Sequence, residues 1–134
     1  MNKNQRTTYD IIVIGGGITG AGIARDCALR GLKVLLVEKF DMTNGATGRN
    51  HGLLHSGARY AVTDNESATE CIQENMILRK IARHCVEETD GLFITLPEDD
   101  LSYQKTFVTA CQNAGIRADI IAPEEALRLE PTVN

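Results

Sequence analysis

Three glycines and one acid carry the clearest chemistry in this 134-residue chain. Gly15-x-Gly17-x-x-Gly20 follows the apolar run Ile11-Ile12-Val13-Ile14, and Glu38 follows a second run, Val34-Leu35-Leu36-Val37. Between a strand and a helix, each of these residues has its own task. Gly15 permits a tight turn, Gly17 lets backbone approach a pyrophosphate, and Gly20 lets the helix pack close to the strand. A helix starting at Ile18 presents N–H groups and a partial positive charge to phosphates, with Gly16, Ile18 and Thr19 in the same turn. Glu38, 23 residues after Gly15, stands where a carboxylate accepts hydrogen bonds from adenosine ribose hydroxyls, and Lys39 is beside it. An acid there disfavours NADP, whose ribose carries a 2′-phosphate. FAD and NAD both remain open at this point.

A glycine-rich turn with no ligand is the plain alternative. The pattern continues through Ala24, Gly31, Val34 and Glu38, which makes coincidence a poor explanation. A second feature follows directly. Residues 42–63 contain no acid, only Arg49 and Arg59 with His51 and His55, inside an acidic chain of net charge −4. Asn44-Gly-Ala-Thr47-Gly48-Arg-Asn-His51-Gly52 offers small residues, backbone donors and cations, as a pyrophosphate and a second ring system require. NAD enzymes normally proceed from this strand to another helix, so the loop favours FAD.

Positioning these residues requires a definite set of elements. The two β-branched runs read as strands buried on both faces. Residues 18–30 have helical spacing, and Gly31 sits where a left-handed stop belongs. Strand, turn, helix and strand make a right-handed βαβ unit with parallel strands. Beyond residue 57 the spacing predicts a long amphipathic helix over 66–86, with Ala68, Cys71, Ile72, Ile81, Ala82 and Cys85 on its apolar face. A strand over 91–96, a helix over 106–114, a strand over 116–121 and a last helix over 123–130 with Pro123 in its first turn complete the pattern.

Composition excludes several classes. The chain is 43% apolar and 24% charged, too hydrophobic for disorder. No run approaches the roughly 18 apolar residues of a membrane-spanning helix. A pI near 5.3 argues against general nucleic-acid binding. Lys3 and Arg6 precede an apolar run, but Asp10 and the glycines bound it too tightly for a secretory leader. Cys27, Cys71, Cys85 and Cys111 lack metal-ligand spacing, so no metal site is expected and reduced thiols in a cytoplasmic protein are. Cys71 and Cys85 are expected about 21 Å apart on one helix, too far for a disulfide.

The run Ile14-Gly-Gly-Gly-Ile-Thr-Gly20, the pair Val37-Glu38 and Gly45-Ala-Thr-Gly-Arg-Asn-His-Gly-Leu-Leu-His-Ser-Gly-Ala-Arg-Tyr60 together resemble the FAD-dependent glycerol-3-phosphate dehydrogenases. Within that family they are nearest the bacterial anaerobic, multi-subunit branch. The resemblance continues through Cys71, Cys85 and Gly91-Leu-Phe-Ile-Thr-Leu-Pro-Glu-Asp-Asp100. It implies an α/β fold: a Rossmann-like FAD-binding domain of the glutathione-reductase/amino-acid-oxidase type. Residues 1–90 would be its N-terminal part and 91–134 the start of a mixed α+β substrate domain. It implies oxidation of sn-glycerol 3-phosphate to dihydroxyacetone phosphate in anaerobic glycerol metabolism, with hydride passing to FAD. Electrons would then reach membrane quinone through two partners, an FMN-binding subunit, then an iron–sulfur membrane-anchor subunit. That places the chain at the cytoplasmic face of a bacterial inner membrane, held there by partners.

The resemblance sets Gly15, Gly16, Gly17, Ile18, Thr19, Gly20, Glu38 and Lys39 on the ADP half of FAD. Thr47, Gly48, His51 and Gly52 fall near its pyrophosphate and ring. His51 and His55 are the weak candidates for proton transfer, with simple loop hydrogen bonding as the plainer role, and no catalytic base is expected within the chain. Arg59 could bind substrate phosphate or form a surface ion pair. Family members run to several hundred residues, so the chain is expected to be a front portion, inactive alone. An amine or amino-acid oxidase of the same fold, and a non-catalytic truncated product, are the alternatives.

Overall fold

The computed structural model describes residues 7–133. Lys3, Arg6 and Asn134 lie outside them, and with them the leader reading and the chain's end. The packing divides into two compact units, one up to Leu53 and one from Leu54. No helix among the described residues is long and apolar enough to cross a membrane.

The first unit is the expected βαβ. β1 (Ile11–Ile14) and β2 (Val34–Val37) pair in parallel, Ile11 opposite Val34 and Ile14 opposite Val37. α1 (Ile18–Leu29) crosses between them. Gly31 takes φ +82° and ends α1 as foreseen. Its N–H donates to Ala28 O at 3.0 Å and the Leu32 N–H to Cys27 O at 3.1 Å, the paired bonds that satisfy the last helical carbonyls.

The strands depart from expectation in burial. Val13 is 8% exposed, yet its neighbours Ile12 and Ile14 are 62% and 86% exposed. Side chains alternate across a sheet, and one crossover helix covers one face. Ile12 and Ile14 belong to the other face.

The second unit is helical. α2 (Asn65–Ile81) and α3 (Ser102–Asn113) follow a 3-10 turn at Ala58–Tyr60, and α4 (Pro123–Leu129) comes last. Its core is built mostly from small residues, Ala58, Ala61, Ala68, Cys111 and Ala114, with Ile116 beside them and Ile72 and Phe107 packed against it. Gly57 has φ +89°, and a Cβ there would lie 2.7 Å from Ala68 O. Only glycine lets the 3-10 turn approach α2 so closely. The Asn65 side-chain amide donates to Ala61 O at 3.1 Å and Ala110 O at 2.9 Å, tying the turn to α3. The Asn75 amide is buried and donates to His55 O at 3.0 Å.

Four sequence expectations are corrected in this unit. α2 stops at Ile81 and a separate 3-10 turn spans Arg83–Cys85, so Cys71 and Cys85 do not share a helix. Ile81 and Cys85 are exposed, leaving no packing to extend the helix, and Arg79 is ion-paired with Glu88. Residues 91–96 and 116–121 form no strand ladder, because among the described residues no backbone pairs with either. Leu92, Phe93, Ile94 and Leu96 are exposed. In 116–121, Ile116 is buried and Ala118 half-buried, while Arg117, Asp119, Ile120 and Ile121 are exposed. α3 begins four residues earlier than expected, since the Asp100 carboxylate accepts from the Ser102 N–H and hydroxyl, both at 2.8 Å.

Candidate functional site

The glycine turn between β1 and α1 is the structural centre of the first unit. Gly15 has φ +107° and no atom within 4 Å of its Cβ position, so conformation alone demands glycine there. Its N–H continues the parallel ladder to Val37 O at 2.8 Å. A Cβ on Gly20 would fall 1.9 Å from Gly15 O. That contact fixes how closely α1 meets the turn, as the sequence spacing anticipated. Gly17 precedes the first residue of α1, and a Cβ there would reach 3.0 Å from the Thr47 hydroxyl.

Segment 38–49 folds back onto this turn through three hydrogen bonds. The Gly16 N–H donates to Glu38 Oε2 at 2.6 Å. The Thr43 N–H donates to Gly16 O at 3.0 Å. The Ile18 N–H donates to Thr47 Oγ1 at 3.0 Å, so a hydroxyl 29 residues distant caps the helix where its own preceding residue, a glycine, cannot. Glu38 Oε1 accepts two further amides, Lys39 at 2.7 Å and Phe40 at 3.0 Å. The Gly16 amide foremost, then those of Phe40 and Lys39, hold the Glu38 carboxyl below its ordinary pKa and keep it ionised.

Between turn and loop lies a cleft of about 450 Å3 lined by Gly17, Glu38, Lys39, Phe40, Asn44, Gly45, Ala46, Thr47 and Arg49. The Lys39 ammonium lies 4.8 Å from the Phe40 ring centroid. The cleft thus combines the acid at the end of β2, the glycine turn that leads into the N-terminus of α1, the Thr47 hydroxyl and two cations. Such groups can accept from a ribose hydroxyl and donate to phosphate oxygens.

The remaining sequence-selected residues fall in different places. Thr19 is exposed in the first turn of α1. Gly48 lies in the 3-10 turn Ala46–Arg49, where a Cβ would meet Thr43 O at 2.4 Å. His51 and Gly52 follow that turn outside the cleft lining. The Leu53 N–H donates to His51 Nδ1 at 3.0 Å, and the Gly52 N–H to Asn50 Oδ1 at 2.6 Å. His55 and Arg59 belong to the second unit. The His55 carbonyl accepts from Asn75, and Arg59 is exposed in the 3-10 turn Ala58–Tyr60. A second cavity, of about 360 Å3, is lined by Arg79, Arg83, Val86 and Glu88, none of them singled out by sequence.

Sequence reasoning missed Thr43. It has φ +61°, a conformation costly for a β-branched residue and tolerated where surrounding contacts impose it. Its bond to Gly16 O and the close approach of Gly48 supply those contacts. Residue type carried no signal of it, since glycine or asparagine would be expected at such a φ.

Residues 10–134 match the FAD dependent oxidoreductase family. Over all 134 residues the chain is 69% identical to the A subunit of the anaerobic glycerol-3-phosphate dehydrogenase of Escherichia coli K12, covering 25% of that protein. The same-named protein of Haemophilus influenzae is 70% identical over 125 residues, 93% of this chain and 22% of the relative. An alpha-glycerophosphate oxidase from Enterococcus casseliflavus is 41% identical over 100 residues, 74% of this chain and 16% of the relative. The chain therefore spans about a quarter or less of these relatives' lengths. No solved structure matches it.

Proposed function

Because this chain belongs to the FAD-dependent oxidoreductase family, we propose that it forms the N-terminal FAD-binding part of a glycerol-3-phosphate dehydrogenase, residues 1–90, followed by the start of a substrate domain, 91–134. The first-unit cleft is the observation that carries this reading. Its parts fit the adenosine and pyrophosphate portions of FAD. Glu38 is ionised at the end of β2, ready to accept from ribose hydroxyls. Gly17 leaves room beside the helix N-terminus that a side chain would take.

In this reading Gly15, Gly16, Gly17, Ile18, Thr19 and Gly20 form the cradle, and Glu38 and Lys39 flank the adenosine ribose. Thr47 and Gly48 stand at the pyrophosphate, with His51 and Gly52 leading toward the ring. When bound, the flavin supplies the two-electron acceptor for hydride from the carbinol carbon of sn-glycerol 3-phosphate. The hydroxyl proton leaves to a base as the alcohol becomes the ketone of dihydroxyacetone phosphate; that base is expected outside these 134 residues, with His51 and His55 only the weak candidates within them. Arg59 is its candidate for holding substrate phosphate. Names of relatives at 69% and 70% identity support this substrate over an amino acid.

The word subunit in those names supports partner polypeptides, here proposed as one that binds FMN and one that is an iron–sulfur membrane anchor, which deliver electrons to quinone. The chain would then work at the cytoplasmic face of the inner membrane. Dye reduction by the complete FAD-loaded polypeptide that carries this sequence decides the substrate. Turnover with sn-glycerol 3-phosphate and none with a panel of amino acids is expected. The reverse would move the protein to the amino-acid oxidases.

A further inference from the structure

We infer that Glu38 is a positioning residue that sets the shape of the glycine turn before any cofactor arrives. This rests on the cofactor reading above for its functional meaning, but its geometry belongs to the chain alone. Glu38 Oε2 accepts the Gly16 N–H at 2.6 Å, across 22 residues of sequence. Glu38 Oε1 accepts the Lys39 and Phe40 amides at 2.7 and 3.0 Å. Three backbone donors therefore converge on one side chain, and a carboxylate is the acceptor with enough lone pairs to take all three and still accept a ribose hydroxyl. A bond this short to an ionised acceptor is among the stronger kinds.

The Gly16 peptide is held from its other side as well, by the Thr43 N–H on Gly16 O at 3.0 Å. A Cβ at Gly16 would lie 2.6 Å from Met42 Sδ and 3.2 Å from Glu38 Cβ, so the turn is closed against segment 38–43 with no side chain between. Free of that brace, Gly16 and Gly17 would sample the wide φ range open to glycine, and the approach path to the helix N-terminus would be one conformation among many. With the brace, the entropy of ordering the turn is already lost in the folded chain, which favours binding by preorganisation. A glutamine at 38 cannot reproduce the arrangement. Its amide nitrogen is a donor, so either Gly16 or the Lys39–Phe40 pair would face a donor instead of an acceptor.

Amide hydrogen exchange of the ligand-free chain, with and without Glu38→Gln and Glu38→Ala, tests this. The Gly15 N–H, bonded to Val37 O at 2.8 Å, reports that the first unit is folded in each variant. The expected result is a protected Gly16 amide in the unsubstituted chain, exchanging at least about tenfold faster in both variants while Gly15 stays protected. FAD affinity should weaken in both in parallel. Unchanged Gly16 exchange in folded variants would overturn the inference, leaving Glu38 as a ribose ligand only. Loss of Gly15 protection in Glu38→Gln, the isosteric change, would also overturn it, since Glu38 would then be holding the whole unit. Protection at Gly16 in a chain that takes up no FAD would support the brace and refute the cofactor reading, so the two can fail separately.

Discussion

The two units use glycine in contrasting ways, and the contrast bears on which of them carries the proposed site. In the first, Gly16, Gly17 and Gly20 are required by close approach around a turn that opens on a cleft with an acid, a hydroxyl and a helix N-terminus. In the second, Gly57 is required by close approach too, but against the backbone of α2 in a core built largely of alanines. Gly115, at φ +81° with nothing near its Cβ position, only stops α3. Close packing of backbone is therefore common to both, and the convergence of polar groups on the packed turn separates a site from a core.

Substitutions should break the units in different ways. Gly20→Val places carbon atoms inside contact distance of Gly15 O and should cost about 3 kcal/mol or more. Urea denaturation should show that loss, together with complete loss of FAD uptake. Gly57→Ala combines a left-handed φ with a Cβ 2.7 Å from Ala68 O and 2.9 Å from Ala68 Cα. It should cost about 2–3 kcal/mol, read as lost exchange protection in α2. Gly115→Ala meets no atoms and should cost only about 1 kcal/mol, seen as a small drop in melting temperature. If Gly57→Ala and Gly115→Ala proved equally mild, the close packing of the second unit would be wrong.

Acid sharpens the contrast with a smaller effect. Glu38 in the first unit, Asp64 in the second and Asp100 in the second are all held below their ordinary pKa. Gly16 is the main cause for Glu38, Ser67 for Asp64 and Ser102 for Asp100. A carboxyl whose folded pKa is depressed stabilises the fold above its unfolded pKa, and that contribution disappears as pH falls through the folded value. From about pH 4.5, the ordinary value for Glu38, downward, the unsubstituted chain should lose stability more steeply than Glu38→Gln. Melting curves between pH 6 and pH 3 (roughly the range over which carboxyls titrate) would show the difference. Identical slopes would mean the three amides on Glu38 do not stabilise its ionised form.

The legible part of the molecule was the part whose residues are dictated by backbone geometry. Gly15, Gly20 and Gly31 each occupy positions where φ or contact distance admits no other residue, so their spacing exposed the turn and the end of α1. Glu38 was found from its place after β2, although its bond to Gly16 was not, because a side chain's reach across 22 residues leaves no trace in spacing. Thr43 was hidden for the opposite reason: its residue type argues against the conformation it adopts. In the second unit, residues 91–96 and 116–121 have strand composition, but a strand exists only when another backbone pairs with it. Composition cannot report that partner. The end of α2 was overrun because Ile81 and Cys85 continue an apolar spacing that no packing rewards.

FAD binding to Gly17→Val tests the central claim most directly. The added side chain would begin 3.0 Å from the Thr47 hydroxyl, at the place proposed for the pyrophosphate, while leaving β1, β2 and Glu38 untouched. Flavin fluorescence titration should give saturable, stoichiometric binding to the unsubstituted chain and none to the variant, with the Gly15 amide equally protected in both. Stoichiometric flavin retained by a folded Gly17→Val chain would place the cofactor elsewhere and contradict the account.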